Sequence, residues 1–133
     1  MIKEKLKKYV ETLNKIPNDQ QKYAWLMLFG KKSMDMQEQY KQKEFEIHGC
    51  QTRTWLVPHF VKDKYSFSAD SDALISRGMV NLLADVFSGS TPKEILAFER
   101  RDLEDLHLDV LLTPGRRNGV HGMLQKIREY AQK

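Results

Sequence analysis

The chain carries one cysteine, Cys50, and four prolines among its 133 residues. A single cysteine cannot close an intramolecular disulfide, so nothing in the sequence requires an oxidising compartment. It also cannot supply the clustered thiolates of zinc and iron–sulfur sites, and the four histidines are scattered along the chain. The sequence therefore predicts neither a disulfide framework nor a metal site.

Long apolar runs are missing as well. The longest, YAWLMLF from Tyr23 to Phe29, is far shorter than the roughly 20 residues that cross a bilayer. The N-terminal MIKEKLKK alternates charges and has no apolar signal region. The glycine-rich GRRNGVHG has neither the Walker nor the dinucleotide spacing. We expect a cytoplasmic protein without a membrane segment, folded as a single domain over residues 1–133.

Charged residues are plentiful, and the 22 Lys and Arg residues outnumber the 18 Asp and Glu residues, for a net charge of +4. The basic clusters near the two termini contain Lys3, Lys5, Lys7, Lys8, Arg116, Arg117, Lys126 and Arg128. Acidic residues are mixed in and no aromatic–basic RNA motif is present, so we interpret the clusters as solvated helix faces and expect no nucleic acid partner. The alternative is a basic interaction module in which Cys50 plays no part.

Helical periodicity dominates the N-terminal part. Apolar residues recur at helical spacing from residue 2 to residue 16 and predict an amphipathic first helix. Asn18 or Asp19 can cap a second helix that runs to Phe29, with Gly30 as its stop. Residues 31–44 are polar and weakly patterned, and we interpret them as a loop, with a partly helical segment as the alternative.

A strand pattern follows in residues 45–69. The segments FEI, TRTWLVPHFV and YSFSA are short, alternating or rich in β-branched and aromatic residues, and the polar KDK separates the last two. They predict an antiparallel sheet of about three strands. Pro58 then requires an edge position or a bulge.

The remainder of the chain returns to a helical pattern. Asp70 or Ser71 can cap a helix from Asp72 to about Phe87, and either a close backbone approach or plain tolerance explains Gly78 within it. STPKEIL contains a capping box, RDLEDLHL predicts a short helix, and a final helix runs almost to the C-terminus. Helices, strands and helices in this order predict an α+β fold, with a small antiparallel sheet packed against several helices.

The setting of Cys50 is that of a turn, between Gly49 and the polar Gln51. This favours an accessible thiol over a small buried hydrophobe. A cysteine hydrolase would need a histidine base and an oxyanion hole beside the thiol. The candidate bases are His48, His59, His107 and His121. The sequence orients none of them.

Four segments in order resemble a known family. HGCQTRTWL is similar to the Gly-Cys-Gln-Ser-x-Val-Trp signature of the SufE family of sulfur acceptors, which includes SufE and CsdE. SADSDALISRGMVNLL, TPKEIL and LTPGRRNGVHGMLQKIR resemble three further segments of that family. Together these segments span most of the chain from residue 45 onward, whereas the N-terminal helices agree only in pattern.

The resemblance implies a fold related to that of the IscU scaffold and a role as a sulfur carrier. SufE proteins accept sulfur from a PLP-dependent cysteine desulfurase of the SufS or CsdA type, which they stimulate, and pass it to a SufB-containing scaffold for iron–sulfur cluster assembly. The PLP belongs to the partner, and no cofactor and no independent turnover are expected of this chain. IscU-type scaffolds hold a cluster with several cysteines, and this chain has one.

The resemblance also assigns roles to individual residues. Cys50 matches the persulfide acceptor, and Gly49 and Gln51 match the motif around it. Arg116 matches an arginine near the start of the final helix, where it either stabilises the thiolate or persulfide or serves only as a structural cap or ion-pair partner. Asp72 matches an aspartate that either faces the partner or stabilises a helix N-terminus.

The chain departs mildly from the family pattern. Thr52 replaces a serine and Thr54 replaces a valine, and the segment before Cys50 lacks an asparagine often found there. Trp55 is expected in the core.

Overall fold

The computed structural model describes residues 2–33, 36–47, 52–108, 112 and 114–133. Within them the chain forms five α-helices and two β-strands: α1 (Ile2–Asn14), α2 (Asp19–Lys32), β1 (Thr54–Val61), β2 (Lys64–Ser71), α3 (Leu74–Phe87), α4 (Pro92–Ala97) and α5 (Pro114–Ala131). The predicted α+β class is confirmed. Among the described helices, none has the length and apolar character that would let it cross a membrane.

The two strands form an antiparallel hairpin whose register runs from Thr54 opposite Ser71 to Val61 opposite Lys64. Its turn places Lys62 and Asp63 at φ values of 53° and 66°, the left-handed geometry that matches the twist of a tight hairpin. Each strand of a two-stranded sheet is an edge, which meets the condition for Pro58.

The predicted third strand is wrong. Lys43–Phe45 form a 3₁₀ turn, and in the described part of this segment only Glu46 makes a β-bridge, to Trp55. A second 3₁₀ turn, Glu38–Tyr40, precedes it. These polar residues close 3₁₀ turns with their own backbone groups, which leaves too short a stretch to extend the sheet.

Helix α3 forms the centre of the core. Ten of its 14 residues are buried, and it packs on the hairpin and on α2. The hairpin face that joins this core presents Leu56, Phe67 and Ala69, all of them buried. Burial of a side chain as large as Leu56 or Phe67 stabilises the fold by about 1.5–3 kcal/mol.

Two glycines allow α2 and α3 to touch backbone to backbone. A Cβ atom on Gly78 would lie 1.9 Å from the carbonyl oxygen of Leu26, and one on Gly30 would lie 2.5 Å from that of Leu74. The predicted helix stop at Gly30 is wrong, because α2 continues to Lys32. Close approach, and not tolerance, explains Gly78.

The helix caps were predicted with mixed success. The Asn18 side chain accepts the Gln21 N–H at 2.9 Å, and the Thr91–Glu94 capping box is present. Helix α3 begins at Leu74 and not at Asp72, because β2 continues through Ser71. RDLEDLHL lies mostly within a 3₁₀ helix, Arg100–Leu106.

Helix α1 docks against the C-terminal end of α3. The Lys5 ammonium donates to the carbonyl oxygens of Asp85 and Ser88 at 2.9 and 2.8 Å. The Tyr9 hydroxyl donates to the Asp85 carboxylate. Burial, this hydrogen bond and the charge of the Asp85 carboxylate raise the pKa of Tyr9 well above its ordinary value.

Candidate functional site

The predicted acceptor Cys50 lies outside the described residues, as do His48, Gly49 and Gln51. Their assigned roles therefore stay predictions. The structure describes the chain immediately before this segment, up to Ile47, and immediately after it, from Thr52. The candidate site is built from these two ends and from the residues that hold them.

The first end is fixed to the hairpin. The Ile47 side chain is 4% exposed, and its backbone N–H donates to the carbonyl oxygen of Thr54 at 2.8 Å. The neighbouring Glu46 bridges to Trp55. A buried apolar side chain and a backbone hydrogen bond together hold the chain in place just before residue 48.

The second end is held by four hydroxyl groups, which we term the hydroxyl cluster: Thr52, Thr54, Ser71 and Ser76. The Thr52 hydroxyl lies 3.1 Å from that of Ser71 and 3.4 Å from that of Ser76. The Thr54 hydroxyl lies 3.0 Å from that of Ser71 and 3.1 Å from the Thr52 carbonyl oxygen. Thr52 keeps the hydroxyl of the serine that it replaces, whereas Thr54 adds a hydroxyl where the family pattern has a valine, and both hydroxyls fasten this end.

Beside the cluster, Asp70 joins three parts of the fold. Its side chain is 5% exposed and lies 3.4 Å from Arg77 Nε of α3 and 3.8 Å from Lys41 Nζ. It also accepts the backbone N–H of Met36 at 3.1 Å. The Arg77 guanidinium in turn donates to the Ser33 carbonyl oxygen after α2. The Asp70 carboxylate therefore links the hairpin to α3 and to the segment between α2 and β1 that contains Met36 and Lys41.

Trp55 is buried, as expected, at 1% exposure and stands opposite Asp70 in the hairpin. Lys41 Nζ lies 5.2 Å and Arg53 Cζ lies 4.9 Å from the centre of an indole ring, both within cation–π range. The indole Nε1 is buried and has no hydrogen-bond acceptor within the described chain.

Arg53 gives the site an available positive charge. It is exposed, three residues after Cys50, and in the described part of the chain its guanidinium forms no ion pair. Its carbonyl oxygen accepts the Asp72 N–H at 3.1 Å and the Ser71 hydroxyl at 3.0 Å, so the backbone that carries this charge is fixed. A cation near a cysteine favours its thiolate.

Asp72 lies between β2 and α3, whereas Arg116 lies on α5. Asp72 is exposed and precedes α3, whose N-cap is Ala73, so the predicted position in the first turn of that helix is wrong. Arg116 is half-buried in the first turn of α5, and its side chain is engaged in an interaction. Proximity of Arg116 to Cys50 stays a prediction.

The three described histidines do not form one group with each other. His59 lies on β1, with its Nε2 3.1 Å from the Ser68 hydroxyl, whereas His107 and His121 line a cavity against α5. Among the residues that the structure describes, no group of three or more His, Cys, Asp and Glu residues could hold a metal ion.

Sequence reasoning missed the supports of the site. Lys41 lies in a segment without a periodic pattern, and Arg77 lies in a family-like segment that assigned it no role, so nothing marked them as partners of Asp70. The hydroxyls left a weak signal, since Thr54 lies in one predicted strand and Ser71 lies two residues beyond the next, so a slightly longer hairpin pairs them.

Comparisons with known proteins agree on one family. The SufE family model, described as an Fe-S metabolism associated domain, matches residues 7–131. An uncharacterized SufE-like protein of Synechocystis is 30% identical over 126 residues, which cover 95% of this chain and 79% of that protein. SufE-like protein 1 of Arabidopsis thaliana, chloroplastic/mitochondrial, is 30% identical over 128 residues, covering 96% of this chain and 34% of that protein.

A solved structure has the same fold. The solution structure of a hypothetical protein from Thermus thermophilus superposes with a TM-score of 0.77, covering 96% of this chain and 93% of that one. The two sequences are 18% identical, so this likeness shows the fold alone.

Proposed function

The chain belongs to the SufE family, and on this basis we propose that it accepts a sulfur atom on Cys50 and carries it toward iron–sulfur cluster assembly. The observation that carries the proposal is the extent of the family domain, which spans residues 7–131 and includes the single cysteine of the chain.

The donor is a persulfide on a PLP-dependent cysteine desulfurase of the SufS or CsdA type. The Cys50 thiolate attacks the outer sulfur of the donor persulfide, and a new S–S bond forms to Cys50. The S–S bond of the donor breaks, and the donor cysteine leaves as its thiolate with the electron pair. One thiolate and one persulfide exist before and after the step, so no oxidant or reductant is consumed.

A lone cysteine suits this role. A second thiol nearby would attack the persulfide, form a disulfide and release the sulfur as sulfide before delivery. A SufB-containing scaffold is the proposed receiver, and the chain is proposed to stimulate its desulfurase by removing the sulfur from the donor cysteine. On this view it is an accessory protein without turnover of its own.

The geometry of the flanking residues supports the proposal. The hydroxyl cluster and the Ile47–Thr54 hydrogen bond hold both ends of the segment that contains Cys50. Arg53 adds a positive charge at the second end, which favours the thiolate that the attack requires.

Mass spectrometry of the intact protein tests transfer directly. After incubation with an active cysteine desulfurase and cysteine, we expect a mass gain of about 32 Da, one sulfur atom, located on Cys50 by peptide mapping. The matched control is Cys50→Ser, which should gain no mass and should not raise the rate of alanine formation by the desulfurase.

Other functions predict different results. An unmodified Cys50 beside an active donor, or full stimulation by Cys50→Ser, would favour a basic interaction module over a sulfur carrier. A cysteine hydrolase would instead form an acyl-enzyme on Cys50 with activated esters and turn over without any desulfurase.

A further inference from the structure

A cavity of about 510 Å³ lies between the 3₁₀ helix Arg100–Leu106, with the two residues that follow it, and the first half of α5. Its volume is within the range of small-molecule sites, about 300–1,000 Å³. Its apolar lining consists of the largely buried side chains of Leu103, Leu108, Val120 and Leu124. The cavity therefore offers an apolar surface to the hydrocarbon part of a ligand.

One cation in the cavity wall, Arg117, has a buried nitrogen without a hydrogen-bond acceptor in the described part of the chain. Arg117 lines the cavity, and its Nε atom is shielded from solvent without a hydrogen-bond acceptor among the described residues. A buried donor left unpaired costs about 1–3 kcal/mol, so native proteins rarely retain one without a reason. Because a guanidinium stays protonated in proteins, it cannot relieve this cost by losing its charge. An anionic oxygen is the group that would satisfy it.

The rim carries charges of both signs. Arg100, Glu104 and Asp105 are exposed, and within the described chain neither carboxylate forms an ion pair with Arg117. At about 4 Å, two unit charges interact by about 1 kcal/mol in water but about 4 kcal/mol at the lower dielectric of a protein surface. The partly buried Arg117 therefore influences a ligand in the cavity more than the solvated rim carboxylates do.

The backbone at the rim is in an uncommon conformation. His107, which ends the 3₁₀ helix and lines the cavity, has a φ of 55° and a ψ of 33°, in the left-handed region. A non-glycine residue there costs roughly 1–2 kcal/mol. The left-handed conformation of His107 ends the 3₁₀ helix, and the next residue, Leu108, lies in the apolar lining of the cavity.

We propose that this cavity binds a small organic acid, whose carboxylate or phosphate group pairs with Arg117 and whose apolar body rests on the leucine and valine lining. The site is separate from the sulfur chemistry proposed for Cys50, and it stands or falls independently of that proposal.

The test is a titration of the wild-type protein followed by backbone amide NMR shifts. The probes are hexanoate, hexyl phosphate, acetate and hexanol. We expect hexanoate or hexyl phosphate to bind at least about tenfold more tightly than hexanol, which lacks the charge, and than acetate, which lacks the apolar body. The amide shifts should map to residues 100–108 and 117–124. The tighter of the two acids identifies the head group.

Two variants separate the cavity from general surface charge. Arg117→Gln should lower the affinity for the more tightly bound acid by at least about tenfold. Arg101→Gln is the matched control, because it removes an equal charge from an exposed arginine that pairs with Glu99 and does not line the cavity. The Arg101→Gln variant should bind the same acid with the affinity of the wild type.

Several outcomes would overturn the proposal. Equal affinity for hexanoate, hexyl phosphate and hexanol would mean that Arg117 contributes nothing, and this comparison uses the wild type and needs no variant to fold. Amide shifts that map outside the cavity would mean that the acid is attracted nonspecifically to a basic protein. Equal losses of affinity in Arg117→Gln and Arg101→Gln would mean the same.

Discussion

The guanidinium carbon of Arg53 lies 4.9 Å from the centre of an indole ring of Trp55, and this pair stands just after the segment that contains Cys50. We predict that Arg53→Gln slows alkylation of Cys50 by iodoacetamide at neutral pH, because loss of the nearby cation lowers the thiolate fraction. The rate is measured by intact mass, and a fall of a few-fold is expected.

Arg101→Gln is the control for this prediction, since it removes the same charge from an exposed arginine of the 3₁₀ helix Arg100–Leu106. If the two variants alkylate at the same rate, the local charge of Arg53 has no influence on the thiol.

The hydroxyl cluster should contribute to stability. Ser71→Ala removes the hydroxyl that accepts from Thr54 and donates to the Arg53 carbonyl oxygen, and we expect a loss of about 1–2 kcal/mol in the free energy of unfolding. Urea denaturation measures the loss. Ser66→Ala, at an exposed position of the same strand, should change the stability by less than about 0.5 kcal/mol. Equal effects of the two variants would contradict a structural role for the cluster.

The Asp70 carboxylate should be essential to the fold. Asp70→Asn keeps the shape of the side chain but leaves Arg77 and Lys41 beside a neutral group, and we expect a loss of about 3 kcal/mol or more. Asp72→Asn removes the same charge from an exposed position two residues away and should have little effect. Similar denaturation midpoints for Asp70→Asn and Asp72→Asn would show that the buried carboxylate contributes no more to stability than the exposed one.

The contact between α2 and α3 predicts an unusual response to alanine. Gly78→Ala should gain about 1 kcal/mol of helix propensity, yet the new methyl group would collide with the Leu26 carbonyl group. Overpacking of this kind costs typically 1–3 kcal/mol, and more when backbone must move, so we expect net destabilisation. Gly122→Ala, at a half-exposed position of α5, is the control and should be neutral or stabilising. A melting temperature raised by Gly78→Ala would refute the close approach.

Two tyrosines predict a loss of stability in alkali. Burial and then the charges of Glu44 and Glu129 raise the pKa of Tyr130 from 10.0 to about 12, and the pKa of Tyr9 is raised further. Above about pH 10 the unfolded phenols lose protons that the folded phenols retain, so the free energy of unfolding must fall as pH rises. Below that pH both states hold the protons, and the two groups cause no pH dependence.

Urea denaturation at about pH 8 and at about pH 11 measures this fall. Tyr130→Phe should show a smaller fall than the wild type, whereas any loss of packing in the variant is the same at both pH values. An unchanged fall would mean that this phenol does not ionise differently in the two states.

Much of the architecture could be predicted, because local chemistry decides it. The cap at Asn18, the capping box at Thr91 and the hairpin with its polar turn follow from neighbouring residues. The fold class follows from the order of the elements. The lone thiol and its motif single out Cys50 as the acceptor, a role that stays a prediction.

Contacts between distant segments could not be predicted. A glycine such as Gly30 is typical of a helix end, but here it allows the close approach of α3. An aspartate such as Asp70 is typical of a helix cap, but here it pairs with Arg77 and Lys41. The prediction of a third strand was wrong for a related reason. A short alternating segment does not show whether its neighbours will extend the strand pairing.

The anchoring of Thr52 limits how far the sulfur can travel. Cys50 is two residues away, and an extended chain spans at most about 3.6 Å per residue, so the two Cα atoms stay within about 7 Å of each other. The Cys50 thiol therefore lies on a short tether. If Cys50 accepts sulfur as proposed, a donor persulfide recessed more deeply than this must also admit the open end of the hairpin, and we expect the partner's footprint to include Thr52 and Arg53.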